Sequence, residues 1–144
     1  MNDQRNSQTS NECRVPRLTP DDTWCMWLDS GDMRHFWSTV AHERTVARDG
    51  SDATADEVLD WNVELIEDET GDRFPLDHNM MLATMSRIVC ERDSVQLSNE
   101  IIGQIVDVLD ADSHDAATDA LCQLDCVGFD AIVQLATLGQ VVYG

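Results

Sequence analysis

Thr54-Ala55-Asp56-Glu57-Val58-Leu59-Asp60-Trp61-Asn62-Val63-Glu64-Leu65-Ile66-Glu67 is the most sharply patterned stretch of this chain. Read at roughly 3.6 residues per turn, Val58, Trp61, Leu65 and Ile66 form one apolar stripe, flanked by Leu59. Asp56, Asp60, Glu64 and Glu67 then fall on the opposite face. Thr54 followed three residues later by Glu57 is a capping box, in which each side chain satisfies a backbone N–H left open by the first helical turn. The stretch predicts an amphipathic helix.

The same period extends in both directions. In residues 32–48, Met33, Phe36, Trp37, Val40 and Ala47 share one face of a helical wheel, with His35, Ser38 and His42 opposite. Upstream, Thr19-Pro20-Asp21-Asp22 supplies an N-cap, a proline at the first helical position and acids at the positive helix end. That helix carries Trp24 and Trp27 and stops at Gly31. Downstream, Thr70-Gly71-Asp72-Arg73-Phe74-Pro75 reads as a turn, and the seam between two halves falls at 70–76. Helices follow at about 77–92 and 95–110, and a third runs from Ser113 to Gly128. In the last segment Ile132, Val133, Leu135, Leu138, Val141 and Val142 point in every direction, so it must be buried on all sides, with its final residues open to a short strand. The expected fold is all-α: a compact bundle of about six to seven amphipathic helices. Residues 1–17 form a disordered polar tail, and 18–144 form a single helical domain.

Charge describes the solvent more clearly than the task. The chain has no lysine, and its nine arginines face 28 acids for a net charge of −19. Carboxylates hold water and ions in concentrated salt, where the Debye length falls below about 3 Å and self-repulsion is largely silenced. We therefore expect a salt-adapted protein of a high-salt cytoplasm, or of a particle assembled there. The polar start MNDQRNSQTSNECR has no apolar stretch of a secretory signal, and no run approaches the ~18 apolar residues of a membrane span. Five cysteines without a CxxC pair give no disulfide framework, and such thiols are expected to pack as small apolar side chains.

Three sets of residues have a chemistry to weigh. Asp115, Asp119, Cys122 and Cys126 form a ladder along one face of a helix over 113–128; Cys122 and Cys126, with a third donor such as His114 or Cys90, could hold a zinc ion, making a thiol-based metal or redox module. Two ligands with local spacing are thin support, and packing against the last helix is the simpler role. Arg34, Arg44 and Arg48 on the second of three N-terminal helices (19–69) outline a trihelical, nucleic-acid-associated transcriptional regulator. The acids of the third helix oppose that reading. The last segment is the third: with little interior to enclose it, Ile132, Leu135, Leu138 and Val142 are expected to form an interface with a second copy or a larger assembly. There is no glycine-rich phosphate loop, nucleophile elbow, HExxH or calcium loop, so an enzyme is the least favoured class.

The reading favoured from sequence is a protein-interaction, assembly or structural component, cellular or viral, with no required cofactor. Lowering salt should restore carboxylate repulsion and weaken the hydrophobic term, loosening the fold. Circular dichroism at about 3 M and about 0.1 M KCl should show lower helicity and a lower Tm in the dilute salt; equal values would remove the salt-adaptation reading.

Overall fold

Asp60–Glu67 is a strand, and that changes the class of the molecule. The computed structural model describes residues 14–47 and 57–144. In chain order these form α1 (Pro20–Arg34), β1 (Ser38–Val46), β2 (Asp60–Glu67), β3 (Arg73–Asp77), α2 (His78–Cys90), α3 (Asn99–Asp110), α4 (His114–Leu121) and α5 (Cys126–Leu138). The expected all-α bundle is thus corrected to a mixed fold of five helices and a three-stranded antiparallel sheet among the described residues. Strands β1 and β2 replace the helices expected over 32–48 and 54–67, as far as those ranges are described.

The reason is a competing period. At a period of two, Trp61, Val63, Leu65 and Glu67 share one side of β2 and are buried, while the residues between them are exposed or half-buried. Trp61 and Leu65 fit both periods, four residues being a turn of helix and two repeats of a strand. Val63 separates them: off the helical stripe, it is 2% exposed. β1 holds Thr39, Val40, Thr45 and Val46, branched side chains that lose rotamer freedom in a helix and suit a pleated surface.

β1, β2 and β3 form a meander in sequence order. The register pairs Val40 with Leu65, Glu43 with Val63 and Thr45 with Trp61, and it skips a residue at Ala41, a bulge that keeps both flanks in phase. β2 pairs with β3 through Val63–Leu76 and Leu65–Phe74. Residues 70–76 make the turn into β3 and most of β3 itself; Gly71 takes φ 77°, a left-handed conformation that suits glycine.

One face of this sheet is roofed by α1, α2 and α5. Trp61, Val63, Leu65 and Leu76 meet Met26 and Trp27 of α1, Met81, Met85 and Ile88 of α2, and Phe129, Ile132 and Val133 of α5 in a single cluster. α1 begins with the expected cap, Thr19 and Asp22 satisfying each other's backbone N–H groups. It runs through Gly31 rather than stopping there. A Cβ on Gly31 would meet the Arg34 guanidinium at 3.2 Å, so the glycine leaves room for Arg34 to fold back 3.5 Å above the Trp27 ring.

The expected helix over 113–128 is two helices bent by 107°. Asp125 breaks it by capping α5, accepting from the N–H groups of Val127 and Gly128. Gly128 lies inside α5, where a Cβ would sit 2.7 Å from the Leu124 side chain. α5 itself is enclosed: every residue from Gly128 to Leu135 is buried. Its apolar circumference is explained by a central position in the fold, and Gly139 ends it at φ 82°. No single helix among the described residues is long and apolar enough to cross a membrane.

The strand assignment orders two substitutions. Val63→Asp buries an unpaired charge and should cost about 4 kcal/mol or more. Ile66→Asp, on the helical stripe but on the outer face of the sheet, should cost about 1 kcal/mol or less. Denaturant unfolding of both variants in molar salt checks this, and the opposite order would restore the helix.

Candidate interaction groove at the C-terminal end

Gln134 is fully enclosed in α5, yet each of its polar atoms is used. Its Nε2 donates to Asp130 Oδ2 at 2.8 Å and to the Tyr143 carbonyl at 2.7 Å. Its Oε1 accepts from the backbone N–H groups of Val142 and Tyr143 at 2.8 and 2.9 Å. One side chain thus pairs with the C-terminal segment as a neighbouring strand would. Asp130, on the preceding turn, accepts a second bond from Trp37 Nε1 at 2.8 Å. Tyr143 stacks on Trp37, ring centres 5.6 Å apart and nearly parallel, and its hydroxyl donates to Glu67 and Glu69. The turn after α1, the end of β2, α5 and the tail are joined here.

Burial raises the Asp130 pKa above the ordinary carboxylate value, outweighing the Trp37 and Gln134 donors and the nearby Arg34 charge that lower it. The Tyr143 phenol is raised chiefly by its bond to Glu67.

This network forms the floor of an apolar groove. A recess of about 290 Å³ is lined by Met33 of α1, Leu97 and Ile101 beside and within α3, Val127 and Ala131 of α5, and the tail. A smaller adjoining recess shares Met33, Asp130 and Tyr143 and is bounded by Phe36. Phe36 is 74% exposed and Val127 47% exposed. Asp130 is the one acidic side chain among those lining the groove, and both of its oxygens already accept hydrogen bonds.

The sequence candidates are distributed differently. Ile132 and Leu135 are interior, Leu138 is half-buried, and Val142 is exposed on the tail. Arg34 is buried, donating to Ser30 Oγ and the Trp27 carbonyl as well as stacking on Trp27. Arg44 stands exposed on β1, and Arg48 lies outside the described residues, as does Thr54 of the expected capping box. With β1 and β2 in place of two helices, the trihelical arrangement of residues 19–69 is absent. Cys122 follows α4 and Cys126 opens α5 across the bend, so the two thiols do not share one helical face. Cys122 is exposed rather than packed inside. His114 is bonded instead to Asp22, 2.8 Å away, and that bond raises its pKa. No three His, Cys, Asp or Glu side chains among the described residues are grouped to hold a metal.

The groove is hidden in the sequence because a helical wheel over 32–48 puts Met33 and Phe36 on its buried face. The Asp130-x3-Gln134 spacing, one turn apart within the most apolar segment, was the available signal: polar groups there must find partners. Compared with protein-family models, with curated proteins and with solved structures, the chain matches none.

Asp130→Asn should reveal the network. The new amide must turn one N–H toward either Trp37 Nε1 or Gln134 Nε2, both donors, so the variant should lose about 1–3 kcal/mol at neutral pH despite removing a buried charge. Because the folded-state pKa of Asp130 is raised, its ionised form costs stability above that pKa, and the cost vanishes as pH falls through it. The wild type should therefore gain on Asp130→Asn as pH drops from about 7 to about 4, seen as a widening gap in denaturant midpoints.

Proposed function

We propose that the protein acts through protein–protein contact, as a small structural or assembly component whose partner at this groove is a second copy of the chain. The observation that supports the reading is Phe36, a phenyl ring 74% exposed at the rim of an apolar recess. Knob and recess lie on one surface of one molecule. A twofold axis can then seat each Phe36 in the other chain's groove, the self-complementary arrangement of most dimers. Aromatic anchors in desolvated pockets carry much of the energy of such contacts.

Charge favours the same surface. At −19, two copies can approach only where acids are few, and apart from the buried Asp130 the groove is lined by uncharged side chains. Concentrated salt screens the remaining repulsion and raises the cost of leaving apolar surface in water. With its one acid saturated by hydrogen bonds, the groove offers shape more than reactivity.

Sedimentation in about 3 M KCl tests this. Wild type should sediment above its monomer mass of 16.1 kDa. Phe36→Asp and Val127→Asp, at exposed positions, should keep the wild-type circular dichroism and weaken association by about 2 kcal/mol or more, roughly thirtyfold in Kd. A wild type that stays monomeric at high concentration, or a Phe36→Asp variant that associates unchanged, would overturn the reading.

A further inference from the structure

The segment after α5 turns back on itself. Gly139, at φ 82°, reverses the chain, and residues 140–144 then run beside α5 toward its start. Val142 and Tyr143 meet Gln134, and Tyr143 and Gly144 border the recess at Asp130, one turn earlier. What holds this segment is directional contact, not burial. Gln134 bonds to its backbone alone, the Tyr143 ring lies on Trp37, and the Tyr143 hydroxyl donates to Glu67 and Glu69. Val142 is 52% exposed, and none of residues 139–144 is buried.

Such a segment can leave its place without dismantling the apolar core, but it leaves a defined vacancy. The enclosed Gln134 amide would lose the donors to its Oε1, and Trp37 would lose the ring that covers it. A replacement must bring an extended backbone to Gln134 and a tyrosine between Trp37 and the two glutamates. The segment that meets all of these demands is this chain's own, and a second copy carries it. The contacts are the same whichever chain supplies them, so the closed and exchanged arrangements differ chiefly at the hinge. Gly139 can serve as that hinge, since glycine takes either sign of φ and nothing lies within 4 Å of a Cβ built there. Residues 141, 143 and 144 also form one wall of the apolar groove, so a second copy seated in the groove brings its own segment alongside at high effective concentration.

Resting on the dimer proposed above, we propose that residues 140–144 exchange between the two copies about Gly139. Tyr143 of each chain then completes the site formed by Trp37, Gln134 and Glu67 in the other.

The test places a photoreactive diazirine side chain at the exposed position 142 of the full chain. The protein is refolded in molar salt, checked by circular dichroism, irradiated, and separated under denaturing conditions. Exchange should give a covalent dimer joined from position 142 of one chain to α5 of the other near Gln134. Gly139→Ala reads the same exchange without a cross-link. Alanine disfavours the left-handed turn that only the closed arrangement needs, so the variant should associate about fivefold or more tightly in Kd. A sedimenting dimer whose links are all within single chains, or a Gly139→Ala variant that associates no more tightly than wild type, overturns the exchange and leaves the seating of Phe36 intact. A covalent dimer joined near Gln134 that survives Phe36→Asp supports the exchange and overturns the Phe36 contact alone. Wild type that sediments as a monomer overturns both.

Discussion

A sheet with one strongly apolar face has to bury that face against another layer. The requirement to bury Trp61, Val63, Leu65 and Leu76 dictates the rest of this molecule. Trp61 is the largest of these side chains, and α1 meets it with two rings, Trp24 at 5.7 Å and Trp27 at 6.4 Å between centroids. Its indole N–H donates to Thr23, whose hydroxyl also meets His78, so the contact between α1 and the sheet also locates α2. Trp27 donates to Glu43 on β1, so α1 reaches the far strand as well. The opposite face, with His42, Arg44, Asp60, Asn62, Glu64 and Arg73, stays in water, where Arg73 pairs with Glu64. With one helical layer on one sheet face, α5 has sheet below and helices beside it, which is why it can be apolar all round.

That central position explains the two polar side chains it carries. A buried amide or carboxylate is costly unless every bonding capacity is met. Gln134 and Asp130 meet the condition through groups from distant parts of the chain: Trp37 from the turn after α1, and Val142 and Tyr143 from the tail. No buried side-chain polar atom among the described residues lacks a partner. Such a network is specific to register, because advancing α5 by one residue rotates both groups away from their donors. Apolar packing alone would not distinguish those positions so sharply.

How much of this was legible in the sequence depended on whether one period or two could be fitted. The caps at Thr19 and Ser113 and the stripe of Met81, Met85 and Ile88 admit a single reading, and helices are present there. In Trp61–Leu65 the helical and strand patterns coincide at the two largest side chains. The choice then rests on Val63 and on the branched residues of β1, which a wheel drawn for helices treats as neutral. The break at Asp125 was hidden for a different reason: Gly128 resembles a helix terminator, although its role is to admit the Leu124 side chain. The groove was least legible of all. It is made by the turn at Phe36, which exists only because a strand follows α1.

The first described residues and the segment after α5 both reach one turn of α2. Arg87 lines the recess beside Val15 and Cys90, and its guanidinium donates to the carbonyl of Gly139, the residue at which α5 gives way to the tail. It also borders a second small recess with Leu135, Gln140 and Val141. Val141 belongs to the wall of the apolar groove, and the next two residues are those that Gln134 holds. Anything that stiffens or shifts the last turn of α2 therefore bears, through Arg87, on where the tail leaves α5. The tail's position in turn sets one wall of the groove. Because a packed interior transmits displacement instead of absorbing it, the outer face of α2 and the groove are mechanically adjacent although, among the described residues, their linings share no side chain.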